Sequence, residues 1–217
     1  MINSQLPFGN INGMSISIDR LEKSFYPNLP LFTLEHFSIP SNHCVGIKGC
    51  NGSGKSTLLK ILAGALSPSS GTINRTIDNT NVQNDQLHTT IGYAAPYINL
   101  YPELNFNELT TIWSKIRNRP LNQTVFNFLS TTLQINSYIS KKIQSLSTGM
   151  RFRLQIVLAF MHSPSIVFLD EPTANFDING FTGLELIVRS YFLSGGTVVL
   201  ASNNDNELSW CSQFIEL

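Results

Sequence analysis

The run Gly49-Cys50-Asn51-Gly52-Ser53-Gly54-Lys55-Ser56 has the spacing G-x-x-x-x-G-K-[ST], and its residue types answer the needs of phosphate binding. Gly49, Gly52 and Gly54 let successive backbone N–H groups turn into one concavity that holds phosphate oxygens. A helix opening near Lys55 adds its positive N-terminal end. Lys55 can reach the outer phosphates as a point charge, and the Ser56 hydroxyl can ligate Mg2+. The motif needs a strand before it and a helix after it, and both are expected here. Cys50 reads as a small filler in the loop, with a thiol made reactive by the helix end as the alternative.

A second chemical centre closes the apolar run Ile166–Leu169: the acids Asp170 and Glu171, followed by Pro172-Thr173. Neighbouring strand side chains point apart, so adjacent acids at a strand end can serve two tasks. Asp170 is placed to hold Mg2+ through water. Glu171 can polarise a water in line with a terminal phosphate bond.

The elements that must position these groups follow from hydrophobic periodicity. Residues 14–19 and 32–39 alternate like half-buried strands. Pro40-Ser41-Asn42 is a turn, His43–Lys48 a strand, and Lys55–Ala63 a helix ended by Gly64 and Pro68. Thr72–Asn74 begins a further strand, residues 76–89 have the composition of a surface excursion, and Thr90–Ala94 resumes strand character. Phe106, Leu109, Ile112, Trp113 and Ile116 recur at helical spacing, as do Leu121, Val125, Phe128, Leu129 and Leu133. Residues 101–146 therefore read as a helical lobe. Met150–Met161 and Leu184–Phe192 read as helices, and Gln213–Leu217 as a short last strand. Ile166–Leu169 and Thr197–Ala201 are continuous apolar runs, as strands buried on both faces require. Strands alternating with helices predict an α/β fold with a mostly parallel sheet covered on both sides.

Composition limits the alternatives. The chain has 217 residues, 42% of them hydrophobic and 13% charged, with 14 basic against 14 acidic. That supports one packed domain and excludes disordered and fibrous classes. The neutral balance removes the electrostatic footprint of nucleic-acid binding, and no nucleic-acid partner is expected. No apolar stretch reaches the ~20 residues needed to span a bilayer. Met1-Ile2-Asn3-Ser4 lacks the charged start of a secretion signal. Cys44, Cys50 and Cys211, odd in number and without CxxC spacing, read as reduced thiols. Together these features predict a cytoplasmic protein.

The order of the glycine loop, Leu146-Ser147-Thr148-Gly149-Met150, Leu169-Asp170-Glu171-Pro172-Thr173 and Ala174-Asn175-Phe176-Asp177 resembles the nucleotide-binding subunit of an ABC transporter. The resemblance runs from about residue 15 to the end. It implies one ABC-type ATPase domain over 1–217, with a P-loop NTPase core, an N-terminal antiparallel β portion, and a helical subdomain inserted at about 101–162. By the same resemblance ATP binds at Gly49, Cys50, Asn51, Gly52, Ser53, Gly54, Lys55, Ser56 and Thr57. Mg2+ sits at Ser56 and Asp170, and Glu171 is catalytic. Ser147 and Gly149 match the family's signature loop, whereas Thr148 and Met150 depart from it. That loop closes over ATP held by a second copy of the chain, in a head-to-tail dimer. Phe25 looks like the aromatic that stacks on adenine, with Tyr26 or a plain core role as alternatives. Asp177 resembles the acid that crosses the dimer interface. The implied partner is an integral membrane permease subunit, which would hold the protein at the inner face of the cell membrane. A docking groove is expected near Tyr97, Leu100, Tyr101, Phe106 and Trp113, some of which belong to the lobe core instead.

Two positions depart from the family. After Val198–Ser202 the resemblance calls for a switch histidine that contacts the terminal phosphate; the sequence offers Asn204, which can donate a hydrogen bond but cannot become an imidazolium. After Tyr93-Ala94-Ala95, Pro96 stands where a glutamine is usual. Losing one transition-state donor costs about 2.7–4 kcal/mol, or 10²–10³ in rate. A slow hydrolase is therefore expected. Two other readings are open on these residues. One is a cytosolic ABC ATPase of the iron–sulfur assembly type without a membrane partner, the other a regulatory switch that binds ATP without turnover. The compact length and the Ser-Thr-Gly-Met variant look like export-type or haem-exporter ATPases.

Overall fold

The computed structural model describes residues 6–217, so the Met1–Ser4 segment lies outside the described residues. The chain begins β1 (Met14–Tyr26), β2 (Leu29–Ile39), β3 (Cys44–Lys48), α1 (Lys55–Leu62), β4 (Ser70–Ile77) and β5 (Thr80–Asn81). It continues α2 (Leu87–Thr90), β6 (Ile91–Ala94), α3 (Phe106–Ile116), α4 (Gln123–Thr132) and α5 (Thr148–Phe160). It ends β7 (Ile166–Asp170), α6 (Ile178–Leu193), β8 (Thr197–Ala201), α7 (Asp205–Leu208) and β9 (Gln213–Glu216).

Alternation in β1 buries Met14, Ile16, Ile18 and Leu21, while the residues between them stay more open. This strand pairs antiparallel with β2 and β4, and β4 with β5, giving the order β2-β1-β4-β5. The second sheet is parallel throughout, in the order β6-β7-β8-β3-β9. Every residue of β7 and β8 is buried, which accounts for their continuous apolar runs.

Successive residues of β7 divide between the two faces of that sheet. Ile166 and Phe168 pack with Leu58, Leu59 and Leu62 of α1 and with the antiparallel sheet. Val167 and Leu169 pack with α5, α6 and the helices of the lobe. Asp170 follows with the parity of Phe168 and so belongs to the α1 face. The parallel arrangement also sends the C-terminal ends of β3, β7 and β8 to one edge, the position where open α/β sheets bind ligands.

Between β6 and β7 the regular elements are all helical, apart from an isolated bridge between Asn105 and Lys142. Asn105 opens α3 by accepting a hydrogen bond from the Glu108 amide at 3.0 Å, while the Glu108 carboxylate accepts from the Asn105 amide at 2.8 Å. Asn122 caps α4 by accepting from the Thr124 and Val125 amides.

Two expectations need correction. The segment 76–89 is more ordered than its turn-like composition implies: β4 runs on to Ile77, a hairpin leads to β5, and Leu87 is buried at the start of α2. The helix expected at Leu184–Phe192 starts at Ile178, because the Asp177 carboxylate caps it by accepting from the Gly180 amide at 2.7 Å. Asn179, Gly180 and Gly183 hide that first turn from propensity. Of the residues set near the docking groove, Phe106 is one of those that serve the lobe core: it is fully buried and stacked on Phe126, with ring centroids 6.4 Å apart.

Candidate functional site

The glycine loop follows β3 directly and opens α1. Gly49, Gly52 and Gly54 hold φ of 155°, 86° and 104°, backbone that side-chain-bearing residues rarely adopt. A Cβ on Gly54 would also stand 2.8 Å from Phe32 Cδ1, so a larger residue would have to displace that ring as well as strain the backbone. Lys55 is only 7% exposed, and its ammonium donates to the carbonyls of Gly49 at 2.8 Å and Cys50 at 3.2 Å. The cation is thus already folded over the loop that would receive an anion. Ser56 and Thr57 lie half-buried on the first turn of α1. The buried hydroxyl of Ser53 has no partner, whereas Cys50 and Asn51 face outward.

At the end of β7, Asp170 is 1% exposed and neither of its carboxylate oxygens has a hydrogen-bond partner. A buried unpaired carboxylate is expensive, so the geometry calls for a cation. Among the described residues no group of three His, Cys, Asp or Glu could cage a metal by itself. One carboxylate plus a hydroxyl suits Mg2+, which keeps several waters and takes further ligands from phosphates.

Glu171 has φ 44°, a left-handed conformation for a residue with a Cβ. Such strain costs on the order of 1–3 kcal/mol and concentrates at functional sites. Its amide donates to the Ala201 carbonyl at 2.9 Å, which ties the strained residue to β8. Burial, then the nearby Glu207 carboxylate, push the Glu171 carboxyl above its ordinary range; Lys55 opposes them and Asp170 adds to them. A carboxylate so raised is a stronger base. Glu207 is itself buried; it accepts from the Thr173 amide at 2.9 Å and from the Thr173 hydroxyl, and its other oxygen has no partner. Sequence reasoning passed over Glu207, whose one sequence signal is an acid inside a short segment flanked by apolar residues.

The raised carboxyl has a consequence for stability. A group whose folded pKa exceeds its unfolded value adds stability below the unfolded pKa and loses it as pH rises through the folded pKa. The Glu171→Gln variant is therefore expected to melt above wild type at about pH 8, with the gap closing towards about pH 4.5. Melting curves at the two pH values check this; a pH-independent difference contradicts it.

The loop after β8 corrects the sequence reading. Asn203, not Asn204, reaches the glycine loop: its amide nitrogen donates to the Asn51 side-chain oxygen at 2.7 Å. The Asn204 side chain is engaged elsewhere, capping α7 by accepting from the Asn206 amide at 3.0 Å. An acceptor committed to a helix start leaves Asn204 turned to its own helix.

Among the described residues the remaining candidates make no hydrogen bond to the glycine loop. Ser147 is exposed and caps α5, its hydroxyl accepting from the Met150 amide at 3.2 Å. Among the described residues no hydrogen bond joins Ser147 or Gly149 to the glycine loop. The α5 start instead lies against the 170s loop, where a Cβ on Gly149 would stand 2.7 Å from the Asn175 carbonyl oxygen. Asp177 pairs with Arg153 at 2.6 Å. Phe25 is 61% exposed at the end of β1, so the core-aromatic alternative falls, and Tyr26 is exposed beside it. A largely apolar cavity of about 290 Å³ opens by the lobe, lined by Tyr93, Leu100, Trp113 and Ile116 among others, and Tyr97 and Tyr101 are exposed on the segment after β6.

A parallel sheet with a glycine phosphate loop at the carboxyl end of β3 and an unpaired acid at the end of β7 defines a nucleotide-binding domain of the P-loop NTPase class. A family model described as "ABC transporter" matches residues 34–174. The chain belongs to that family. It is similar to the Nod factor export ATP-binding protein I of Rhizobium johnstonii, 27% identical over 200 residues. The match covers 91% of this chain, which spans only 64% of that relative's length. It is also similar to the lantibiotic transport ATP-binding protein SrtF of Streptococcus pyogenes, 27% identical over 203 residues, covering 92% of this chain and 85% of the relative. Among solved structures, the dimeric post-hydrolysis state of the ATP-binding cassette MJ0796 bound to ADP and Pi superposes with a TM-score of 0.78. That match covers 93% of this chain and 94% of the other at 23% identity, and it establishes the shared fold.

Proposed function

We propose that this chain binds and hydrolyses ATP as the motor subunit of a membrane transporter, two copies clasping ATP and driving a separate integral membrane permease subunit. One observation carries the reading. At a single sheet edge an anion-binding loop, a buried carboxylate in need of a cation and a strained, basic carboxylate come together. Residues Gly49–Thr57 hold the phosphates and Phe25 offers its exposed ring to the adenine. Ser56 and Asp170 would hold Mg2+, which when bound neutralises phosphate charge. Glu171 takes the proton of the attacking water. Asn203 replaces Asn204 as the residue after β8 that turns an amide towards the terminal phosphate. It brings no positive charge there, so turnover is slow.

Ser147 and the free N–H groups at the start of α5 form a second anion site, exposed for the partner copy's nucleotide. Among the described residues no helix is long and apolar enough to cross a membrane, and this reading assigns movement of cargo to the permease. The peripheral place of such a motor is the inner face of the membrane. The relative named for Nod factor export favours outward transport.

Tyr101 and the apolar cavity beside α3 suit the docking of the permease. A charge there, as in Tyr101→Asp, is expected to abolish co-purification with the membrane subunit and to leave ATP affinity unchanged. Pull-down from detergent extracts together with calorimetry measures both. A complex that survives the substitution removes this surface from the account.

A further inference from the structure

The segment that follows β6 carries two phenols the site described above does not use. β6 and β7 run parallel and in register, Tyr93 opposite Phe168 and Ala94 opposite Leu169. Tyr93, Phe168 and Asp170 therefore project from one face of the sheet, the face that α1 covers. The Tyr93 and Phe168 rings pack with centroids 6.3 Å apart on that face. Tyr97 folds back so that its hydroxyl lies 2.6 Å from that of Tyr93. Above it, the Lys60 ammonium stands 4.2 Å from the centre of the Tyr97 ring. Lys60 is four residues after Ser56 and on the same side of α1. Tyr97 thus sits between Lys60 of α1, one turn after Ser56, and Tyr93 of β6, the strand paired with the one that ends in Asp170.

Counting protons gives this arrangement chemical content. Two phenols bring two protons, and their mutual hydrogen bond uses one. One proton and several lone pairs remain, and on the same sheet face Asp170 has both carboxylate oxygens buried and unpaired. Both phenols stay protonated. Burial foremost pushes Tyr93 up to about 12, its bond to Tyr97 opposing and Asp170 adding to the rise. Burial and the bond to Tyr93 push Tyr97 further up, with Asp170 adding again. Pro96, immediately before Tyr97, has no side-chain donor or acceptor to offer the same space.

We infer that Tyr97, oriented by Tyr93, is a positioning residue for the cation side of the site: its hydroxyl hydrogen-bonds water carried on the Mg2+ that Asp170 holds. The inference rests on the proposed nucleotide and Mg2+ site and adds a residue to it. A tyrosine pair that only braced the β6 turn would affect stability and leave cation binding alone.

The test titrates Mn2+, as a paramagnetic substitute for Mg2+, into the full chain saturated with a non-hydrolysable ATP analogue, following free Mn2+ by electron paramagnetic resonance. One hydrogen bond is worth roughly 2- to 10-fold in affinity. Tyr97→Phe is expected to weaken Mn2+ binding by about that factor, and Tyr93→Phe less, in the same direction. Analogue affinity measured in a chelator should stay unchanged. Tyr97→Phe melting at a lower temperature with wild-type Mn2+ affinity overturns the inference. Asp170→Asn separates the two layers of the account. If it weakens Mn2+ binding while Tyr97→Phe does not, the site stands and the tyrosine role falls. If Asp170→Asn too leaves Mn2+ affinity untouched, the cation site itself is misplaced and the inference goes with it.

Discussion

Glu171→Gln is expected to lower ATP turnover by about 10²–10⁴-fold, the usual contribution of a positioned general base, while ATP still binds. The amide keeps the shape of the side chain but cannot take a proton from water. It also removes one of three clustered acids, since Glu207 and Asp170 both raise the Glu171 carboxyl. Relief of that repulsion should leave the nucleotide-bound state at least as stable as in wild type. Phosphate release under saturating ATP, beside an ATP binding isotherm, separates the two effects. Turnover within roughly threefold of wild type would move the base elsewhere, because no such change is compatible with loss of a general base.

Lys55→Ala carries the second large effect. The ammonium donates to the Gly49 and Cys50 carbonyls of its own loop. On binding, those bonds exchange for phosphate oxygens, and a hydrogen bond to a charged group is worth about 1.5–3 kcal/mol. At 1.4 kcal/mol per tenfold, ATP affinity should fall about 10- to 150-fold. Lys55→Arg should not restore it, since a planar guanidinium does not fit the buried space of a compact ammonium. Calorimetry with ATP decides. An affinity unchanged in the alanine variant would mean that the phosphates lie elsewhere.

What could be read from the sequence was whatever depended on short-range chemistry. The glycine loop announced itself because the same residues that bind phosphate also need positive φ, at 49, 52 and 54. The buried strands β7 and β8 were legible as unbroken apolar runs. Features set by tertiary placement were not. The choice between Asn203 and Asn204 turns on one residue of register after β8, and two identical side chains give periodicity nothing to distinguish. Cap chemistry was the available signal, because an Asn two residues before the amide it accepts from marks a helix start. Tyr93, Tyr97 and Glu207 gain their meaning only when β6, β7 and α7 meet. Cys44 and Cys211 are likewise far apart along the chain, yet the fold brings their free thiols to 3.2 Å.

The central claim is that nucleotide joins two copies of this chain, the glycine loop of one facing the capped α5 start of the other. Sedimentation of the Glu171→Gln variant with and without MgATP tests it most directly, alongside the same variant carrying Ser147→Arg. A dimer that forms only with MgATP, and is lost when Ser147 is replaced, is the expected result. An ATP-saturated protein that stays monomeric, or a dimer indifferent to Ser147, would contradict it.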